Sequence, residues 1–341
     1  MKKVSVIGAG LYGCYFSYKI KESFPNCEVV LHEKNSGIML EASTNNQHRL
    51  HLGYHYPRSE KTIEEVIRNA KKFEQEFKDC LTVLDNNFYL IHKNSLVDFE
   101  QYVRVYDKFE LEHKVVAKEK IKSYLTDVEN IEGVLDTKEK CIDNHKVRNV
   151  IEKRMKMSGV KIVLNTEVDI KDVAPHADLV INTTYTNPNM GLTNKSFDLK
   201  YELCIIPVIK NFWNKNMAMT IMDGNFASIY PDAKGNLTLS SVLHTPFFKT
   251  DNYDDFVLKY NQFKNANLDH EVDLLLSDVR KYFDIDGITS TRLYKSPKIK
   301  IKHDINDERC SHILKEGNII TVLNGKLSSV CEVYEEIEKS I

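Results

Sequence analysis

The sequence predicts an α/β protein, α+β overall, in which a parallel-sheet unit is interleaved with a mostly antiparallel one. Three observations predict it. The chain opens on a strand, a glycine-rich turn, a helix and a second strand within residues 3–33. It closes on another strand, glycine turn and helix within residues 318–341. Between them, residues 199–243 form a run of short β-rich segments separated by turn residues. A chain of 341 residues with 42% hydrophobic content has the length for two domains and the apolar material for a sizeable core.

The first element, Lys3-Val4-Ser5-Val6-Ile7, is short, β-branched and apolar, as a buried strand requires. Met1–Val6 passes straight into a glycine turn without a small-residue cleavage site, so it is read as a buried first strand and not as a signal peptide. Gly8-Ala9-Gly10-Leu11-Tyr12-Gly13 follows, then the helical stretch Cys14–Ser23 and a second strand, Glu28–His32, ending at Glu33. In this order GxGxxG makes a dinucleotide site. Gly8 permits the sharp turn, Gly10 lets the backbone approach a pyrophosphate, and Gly13 lets helix pack on strand. The helix start, with Leu11 and Tyr12, offers N–H groups and a positive dipole end to phosphates. Glu33, about 20 residues past the last glycine, can accept from the adenosine ribose, with Lys34 beside it. A glycine-rich turn in an ordinary α/β protein is the competing reading, and the motif serves NAD and FAD alike.

After Glu33 comes a polar loop, Lys34 to Ser59, dense in His, Asn, Arg and Tyr. An NAD-binding Rossmann domain would go on to another βαβ unit, whereas a loop this long inside a compact domain is usually functional. The stretch Asn46-Gln47-His48-Arg49-Leu50-His51-Leu52-Gly53-Tyr54-His55-Tyr56-Pro57-Arg58-Ser59, taken with the glycine turn and the ribose acid, resembles the D-amino-acid oxidase-like (DAO) superfamily of FAD oxidoreductases. Within it the loop is similar to the L-2-hydroxyglutarate dehydrogenase branch. The pattern there is roughly Asn-Ser-Gly, two apolar residues, His, small, Gly, Ile, Tyr-Tyr, then Pro and Ser. Its His, Gly and second Tyr fall on His51, Gly53 and Tyr56. Gln47-His48-Arg49 replaces Ser-Gly-Val, and His55 replaces the first Tyr, so the 2-hydroxyacid substrate does not carry over. The resemblance implies FAD as cofactor and a Rossmann-like FAD-binding domain with an interleaved, mostly antiparallel-sheet substrate domain. It adds Ser43, Asn46, Gln47 and Arg49 to the expected cofactor contacts.

Further along, Ile63, Ile67, Ala70, Phe73 and Phe77 recur at helical spacing and predict an amphipathic helix whose apolar stripe is core. Asn87–His92 reads as a strand. Leu96–Phe109 reads as a helix with Phe99, Val103 and Tyr106 on one face, and Lys118–Asn130 as a charged, solvated stretch. A helix carrying Val147, Val150, Ile151 and Met155 ends at Gly159, and Val160–Leu164 follows as a strand. Val168 and Ile170 continue in an extended piece. The resemblance implies that this helix–Gly–strand covers the adenine, with a backbone contact around Val168. Asp178–Tyr185 is read as a buried strand reaching a small-residue turn by the cofactor at Thr183, and equally as an ordinary parallel core strand. Strands are expected at Tyr201–Ile209, Met217–Met222, Phe226–Tyr230 and Leu237–Val242, then helices near Asp254–Lys264 and Glu271–Tyr282. The last strand, Asn318–Leu323, runs through Gly325, Lys326 and Leu327 into a final helix, an anion-friendly geometry. In DAO-like proteins this turn faces the flavin pyrimidine edge. Lys326 either adds positive charge there or is a solvated lysine at a helix start.

These elements divide the chain into an FAD-binding domain of residues 1–78, 140–196 and 291–341 and a substrate or cap domain of residues 79–139 and 197–290. The expected function is an FAD-dependent oxidoreductase acting on a CH–OH or CH–NH bond of a small polar, anionic metabolite. Alternatives are an NAD-dependent dehydrogenase, a non-redox nucleotide-binding protein, or rearrangement or lyase chemistry on the same fold. His51 is the first choice as proton acceptor, or for a hydrogen bond to flavin; a structural histidine is the competing reading. Arg49 suits a carboxylate or phosphate clamp, Arg58 is read as surface, and Tyr56, Tyr230 and His244 are further pocket candidates. His48, His51 and His55 can be read as a zinc site, but no cysteine is near and the acids Glu41 and Glu60 stand at the edges, so no metal is expected.

Lys and Arg total 47 against 49 Asp and Glu, a formal charge of -2. That balance predicts no general affinity for nucleic acid. No run is apolar and long enough for a bilayer span. The seven cysteines, Cys14, Cys27, Cys80, Cys141, Cys204, Cys310 and Cys331, are scattered and form no CxxC pair. They predict neither a disulfide framework nor a cysteine zinc site, and a cytoplasmic location is expected. The electron acceptor is not indicated by the sequence.

Overall fold

The computed structural model describes residues 1–302 and 311–341; Cys310 lies outside them. Its first layer is a six-stranded sheet centred on β1 (Lys3–Ile7). On one side β1 pairs in parallel with β2 (Glu28–His32), which pairs with Lys161–Val163 at the edge. On the other it pairs with Leu179–Asn182, then Ile319–Leu323, both parallel, and His312–Glu316 closes that edge antiparallel. Every residue of Leu179–Asn182 and Ile319–Leu323 is buried, as expected for parallel strands covered on both faces.

The first helix, α1 (Leu11–Ser23), begins directly after the glycine turn and packs on this sheet. Its Leu11, Cys14, Tyr15 and Tyr18 share a core with Val147, Ile151 and Met155 of the helix Asn144–Ser158 and Val333, Tyr334 and Ile337 of the final helix. Asp143 caps Asn144–Ser158 by accepting from the N–H groups of His145 and Lys146, and Gly159 ends it at a φ of 75°. Gly13 sets how closely α1 approaches the turn. A Cβ there would lie 1.9 Å from the Gly8 carbonyl oxygen and 2.6 Å from Thr183 Oγ1. Backbone cannot retreat as a flexible side chain can, so Gly13→Ala is expected to destabilise the fold by about 1–3 kcal/mol or more. A thermal-unfolding midpoint equal to wild type would contradict this.

The second layer is a nine-stranded sheet. Its path runs Pro246–Thr250, Leu199–Ile209, Leu237–Ser241, Ala227–Pro231, Met217–Met222, Asn86–His92, Ile131–Thr137 and His113–Val115. Met217–Met222 and Asn86–His92 pair in parallel; the other named pairs are antiparallel. Tyr253–Phe263 and Asp269–Arg280 supply Phe256, Tyr260, Leu275 and Val279 to the core behind it.

A small third sheet ties the loop down. β3 (Arg49–Leu50) pairs antiparallel with Lys140–Ile142, Arg49 opposite Cys141 and Leu50 opposite Lys140, and Leu81–Val83 pairs on the far side. α2 (Glu60–Phe77) follows the loop, capped by Ser59, whose hydroxyl accepts from Thr62 N–H. Its buried stripe contains Ile63, Ala70, Phe73 and Phe77 as expected, with Val66 fully buried and Ile67 only partly.

Several elements differ from the sequence reading. Arg292–Ile301, grouped with the first unit, pairs with Leu199–Ile209 over ten positions of the large sheet. Its alternation is masked by Lys295, Lys298 and Lys300. Ile131–Thr137 is a strand that Gly133 obscures, and a Cβ there would meet the Phe99 ring at 2.2 Å. Ile170–Val173 is a short helix capped by Asp169, not extended chain. Within Lys118–Asn130, Ile121 and Leu125 are buried, so the stretch is anchored and not merely solvated. Phe99–Lys108 buries Tyr102 and Tyr106, one step round from the expected face. The final helix starts at Val330, after a 3-10 turn at Leu327–Ser329.

Among the described residues Cys14, Cys27, Cys80, Cys141, Cys204 and Cys331 are free and buried, and no helix is long and apolar enough to cross a membrane.

Candidate functional site

A cavity of about 440 Å³ is lined by the glycine turn, the loop, the C-terminal turn and the large sheet. Gly8 holds the turn at a φ of 97°, where a side chain would be strained, and a Cβ would approach the Thr183 carbonyl oxygen to 2.9 Å. Gly10 is the N-cap of α1, has no side chain to cap it, and the first turn of α1 carries no acidic residue. Its positive end is therefore not offset by side chains of the helix itself. Ser43 Oγ accepts from Leu11 N–H at 2.9 Å, which docks the loop against the helix start.

Glu33 is buried and already oriented. One carboxylate oxygen accepts from Ala9 N–H at 2.7 Å, the other from the backbone and side-chain N–H groups of Asn35 at 2.8 Å each. Lys34 lies 5.7 Å from the Tyr260 ring centre. Tyr260 donates to Glu41 at 2.8 Å and Lys264 pairs with Glu41 at 2.7 Å, so a helix behind the large sheet is fastened to the loop. Burial, then the Glu41 charge, raises the Tyr260 phenol. Val168 lines the same part of the cavity. Thr183 Oγ1 donates within reach of the Ile7 and Gly8 carbonyls, 2.9 Å from each, which locks the turn to the neighbouring strand.

Asn46 shapes the loop. It accepts from His48 N–H at 2.8 Å and donates to the Ala42 carbonyl at 3.0 Å. His48 sits at a φ of 60°, its Nδ1 3.2 Å from the Ile142 carbonyl oxygen. Burial lowers its basicity. Arg49 is fixed by the large sheet: Nη1 donates to Thr220 Oγ1 at 2.8 Å, Nη2 to Ser228 Oγ at 2.7 Å, and the guanidinium lies 4.4 Å from the Tyr230 ring centre.

His51 follows two residues later. Since Arg49 opposes Cys141 and Leu50 opposes Lys140, continued antiparallel register brings Glu139 opposite His51. His51 Nδ1 lies 3.2 Å from Glu139 Oε1. Leu52 N–H donates to the same oxygen at 3.3 Å and Tyr89 OH to Oε2 at 2.9 Å. Burial pulls the His51 imidazole below its ordinary value; Glu139 pulls the other way without overcoming it. Burial alone would raise the Glu139 carboxyl, but His51, Arg49 and Tyr89 outweigh it and hold it low. The pair is thus a neutral imidazole on an ionised carboxylate. Tyr56 packs edge-on against His51, ring centres 5.6 Å apart, and Lys326 Nζ lies 5.0 Å from the Tyr56 ring centre. Lys326 is 7% exposed, so it is not a solvated lysine. Tyr12 OH donates to its carbonyl at 2.7 Å.

The structure brings most predicted residues to one cavity: Gly8, Gly10, Leu11, Tyr12, Glu33, Lys34, Ser43, Asn46, Gln47, Arg49, His51, Tyr56, Val168, Thr183, Gly325, Lys326 and Leu327. Gly13 acts behind the turn. Tyr230 and His244 are placed elsewhere. Tyr230 is fully buried, donates to the Lys140 carbonyl at 3.1 Å and supports Arg49 from below. The His244 N–H bonds to Ser241 Oγ in a turn of the large sheet. Arg58 pairs with Asp223 at 2.5 Å. Among the described residues no group of three or more His, Cys, Asp or Glu is arranged to hold a metal ion. Sequence reasoning missed Glu139, Thr220 and Ser228. The only signal for Glu139 was its place just before a strand that pairs with the loop.

The family model described as FAD dependent oxidoreductase (DAO) matches residues 3–292 of this chain. The FAD-dependent monooxygenase FPY4 of Fusarium mangiferae is 23% identical, over 98% of this chain and 89% of that protein. Among solved structures, L-alpha-glycerophosphate oxidase from Mycoplasma pneumoniae with FAD bound superposes with a TM-score of 0.74 at 14% identity, covering 99% of this chain and 94% of that one. Glycine oxidase from Geobacillus kaustophilus gives 0.71 at 11% identity, covering 97% and 91%. Both likenesses show the fold: a Rossmann-like FAD-binding domain joined to a mostly antiparallel substrate sheet.

Proposed function

Because this chain belongs to the DAO family of FAD-dependent oxidoreductases, with FAD as its cofactor, we propose that it oxidises a CH–OH or CH–NH bond of a small, polar, anionic metabolite. The residues fit the cofactor. Gln47 Nε2, His48 Nε2 and Arg49 Nε are buried without a hydrogen-bond partner among the described residues, and all three side chains line the cavity. A buried polar group left unpaired costs about 1–3 kcal/mol, so such a cluster supports a polar ligand there. In this reading the backbone at Gly8, Gly10, Leu11 and Tyr12 holds the diphosphate and Glu33 the ribose. Val168 would lie by the adenine. The loop and the Gly325–Leu327 turn would hold the isoalloxazine. When bound, FAD supplies an acceptor for the hydride of the C–H bond.

The observation that carries the reading is a neutral imidazole, His51, in the same cavity as the cations Arg49 and Lys326. The cations bind and orient the substrate anion. His51 takes the hydroxyl or ammonium proton as the C–H bond is lost. Relatives in this fold include proteins named as oxidases of glycine and of L-alpha-glycerophosphate, both anion-bearing molecules. The loop's likeness to L-2-hydroxyglutarate dehydrogenases supports an anionic substrate too, with Arg49 itself among the residues that depart from that branch.

The test is an anaerobic screen of the purified, yellow protein against amino acids, hydroxy acids and phosphorylated polyols, read as bleaching of flavin absorbance. Bleaching by members bearing an anion is expected. Bleaching only by uncharged alcohols or amines, or by nothing in the set, would sink the proposal. Arg49→Lys removes the planar fork between Thr220 and Ser228. With the substrate found, KM is expected to rise about tenfold or more, from a charged hydrogen bond worth about 1.5–3 kcal/mol, with kcat less affected. An unchanged KM would remove Arg49 from the anion site.

A further inference from the structure

No role above is given to Glu139, which is 1% exposed and holds three donors at once. A carboxylate can only accept, so the hydrogen shared with His51 belongs to Nδ1 and the ring's lone pair is left on Nε2. Among the described residues, Nδ1 makes the only hydrogen bond of this ring. We propose that Glu139 is a positioning residue that fixes the tautomer and rotation of His51, so that Nε2 is the atom available to take the substrate proton. The proposal rests on the reading of His51 as the base.

The arrangement is rigid for a stated reason. Leu52 N–H and His51 Nδ1–H converge on Oε1 while Tyr89 OH holds Oε2, so the carboxylate cannot turn without losing a buried bond. Among the described residues, the other groups facing His51 are Arg49 from β3, Lys326 from the C-terminal turn, and the rings of His55 and Tyr56 from its own loop. The two cations oppose a charged ring and Glu139 favours it. When Nε2 gains the substrate proton, the neutral imidazole on an ionised carboxylate becomes an imidazolium–carboxylate pair, and the net charge of the pair goes from -1 to zero. No proton needs to pass to Glu139.

The experiment is nitrogen-15 NMR of histidine-labelled, full-length, FAD-bound protein, with His51 signals assigned by their loss in His51→Asn. The Nδ1–H tautomer is expected in the wild type. Glu139→Gln should keep that tautomer, because the amide oxygen takes the place where Leu52 and His51 both donate. It removes the charge, so the His51 titration midpoint should fall by about one unit. Tyr89→Phe strips a donor from the carboxylate, strengthens its pull on His51, and should move the midpoint the other way. An Nε2–H tautomer in the wild type, or a midpoint that Glu139→Gln leaves in place, overturns the proposal. If Glu139→Gln does not fold, Tyr89→Phe decides alone: an upward shift supports the proposal and any other result overturns it. The readout needs no substrate. It is therefore distinguishable from failure of the base assignment, which would show as wild-type flavin reduction in His51→Asn.

Discussion

His51→Asn slows reduction of bound FAD by about 10²- to 10⁴-fold, the usual contribution of a positioned general base, while FAD stays bound. The measurement is stopped-flow bleaching with the screened substrate, set beside the flavin-to-protein ratio after gel filtration. The reverse pattern, lost FAD with an unchanged rate per bound flavin, would make His51 a cofactor ligand or structural residue. The pH dependence has a definite sign. His51 acts as a base only when neutral, and burial holds its basicity below the ordinary imidazole. Reduction should therefore rise with pH through a midpoint below about 6.5 and level off above it. Stability follows the same direction. His32, His48 and His51 all bind protons less readily when folded than an ordinary imidazole does. Between the depressed values and about 6.5, the unfolded chain takes up protons that the folded chain does not. These three groups therefore reduce stability as pH falls through that window. A rate profile that climbs toward acid would reverse the protonation state assigned to His51.

The parts of the site that were legible in the sequence are those whose geometry is local. Strand, GxGxxG, helix, strand and acid lie within residues 3–33, and each glycine's task follows from its neighbours. The loop was legible as a loop because its polar run fits neither period. What was not legible depends on register between distant segments. Glu139 meets His51 because Arg49–Leu50 pairs with Lys140–Cys141, and no local pattern around Glu139 announces it. Arg49 was visible as a cation, but its aim is set by Thr220 and Ser228 on two strands of the large sheet. Tyr230 illustrates the opposite error. A tyrosine near a strand end on the roofing sheet looks like a pocket residue. Its hydroxyl is instead taken by the Lys140 carbonyl, and its ring is covered by the Arg49 guanidinium. Strand alternation says which face a residue takes but not what lies against that face. The sheet that Arg292–Ile301 joins was not legible for the same reason, since membership is decided by its partner, Leu199–Ile209.

Gly10→Val abolishes FAD retention and leaves the fold standing. The two consequences separate because Gly10 and Gly13 do different work. A Cβ at Gly13 runs into backbone, whereas Gly10 has a φ of -67° and a ψ of -177°, extended values that an L-residue adopts. A Cβ at Gly10 meets one atom within 4 Å, Ser43 Oγ at 3.2 Å. Alanine there asks Ser43 to yield by a few tenths of an ångström, which loosens its bond to Leu11 N–H, and FAD should bind measurably more weakly. Valine adds two methyl groups with stiff rotamers on the side where the backbone must touch the diphosphate. Losing two charge-assisted hydrogen bonds at roughly 1.5–3 kcal/mol each lowers FAD affinity by a factor on the order of 10² or more. The flavin-to-protein ratio after gel filtration should fall stepwise from wild type through Gly10→Ala to nearly zero in Gly10→Val. Far-UV circular dichroism should stay unchanged across the series. Stoichiometric FAD in the valine variant would place the diphosphate away from this turn, and the assignment of Leu11, Tyr12 and the α1 N-terminus would fall with it.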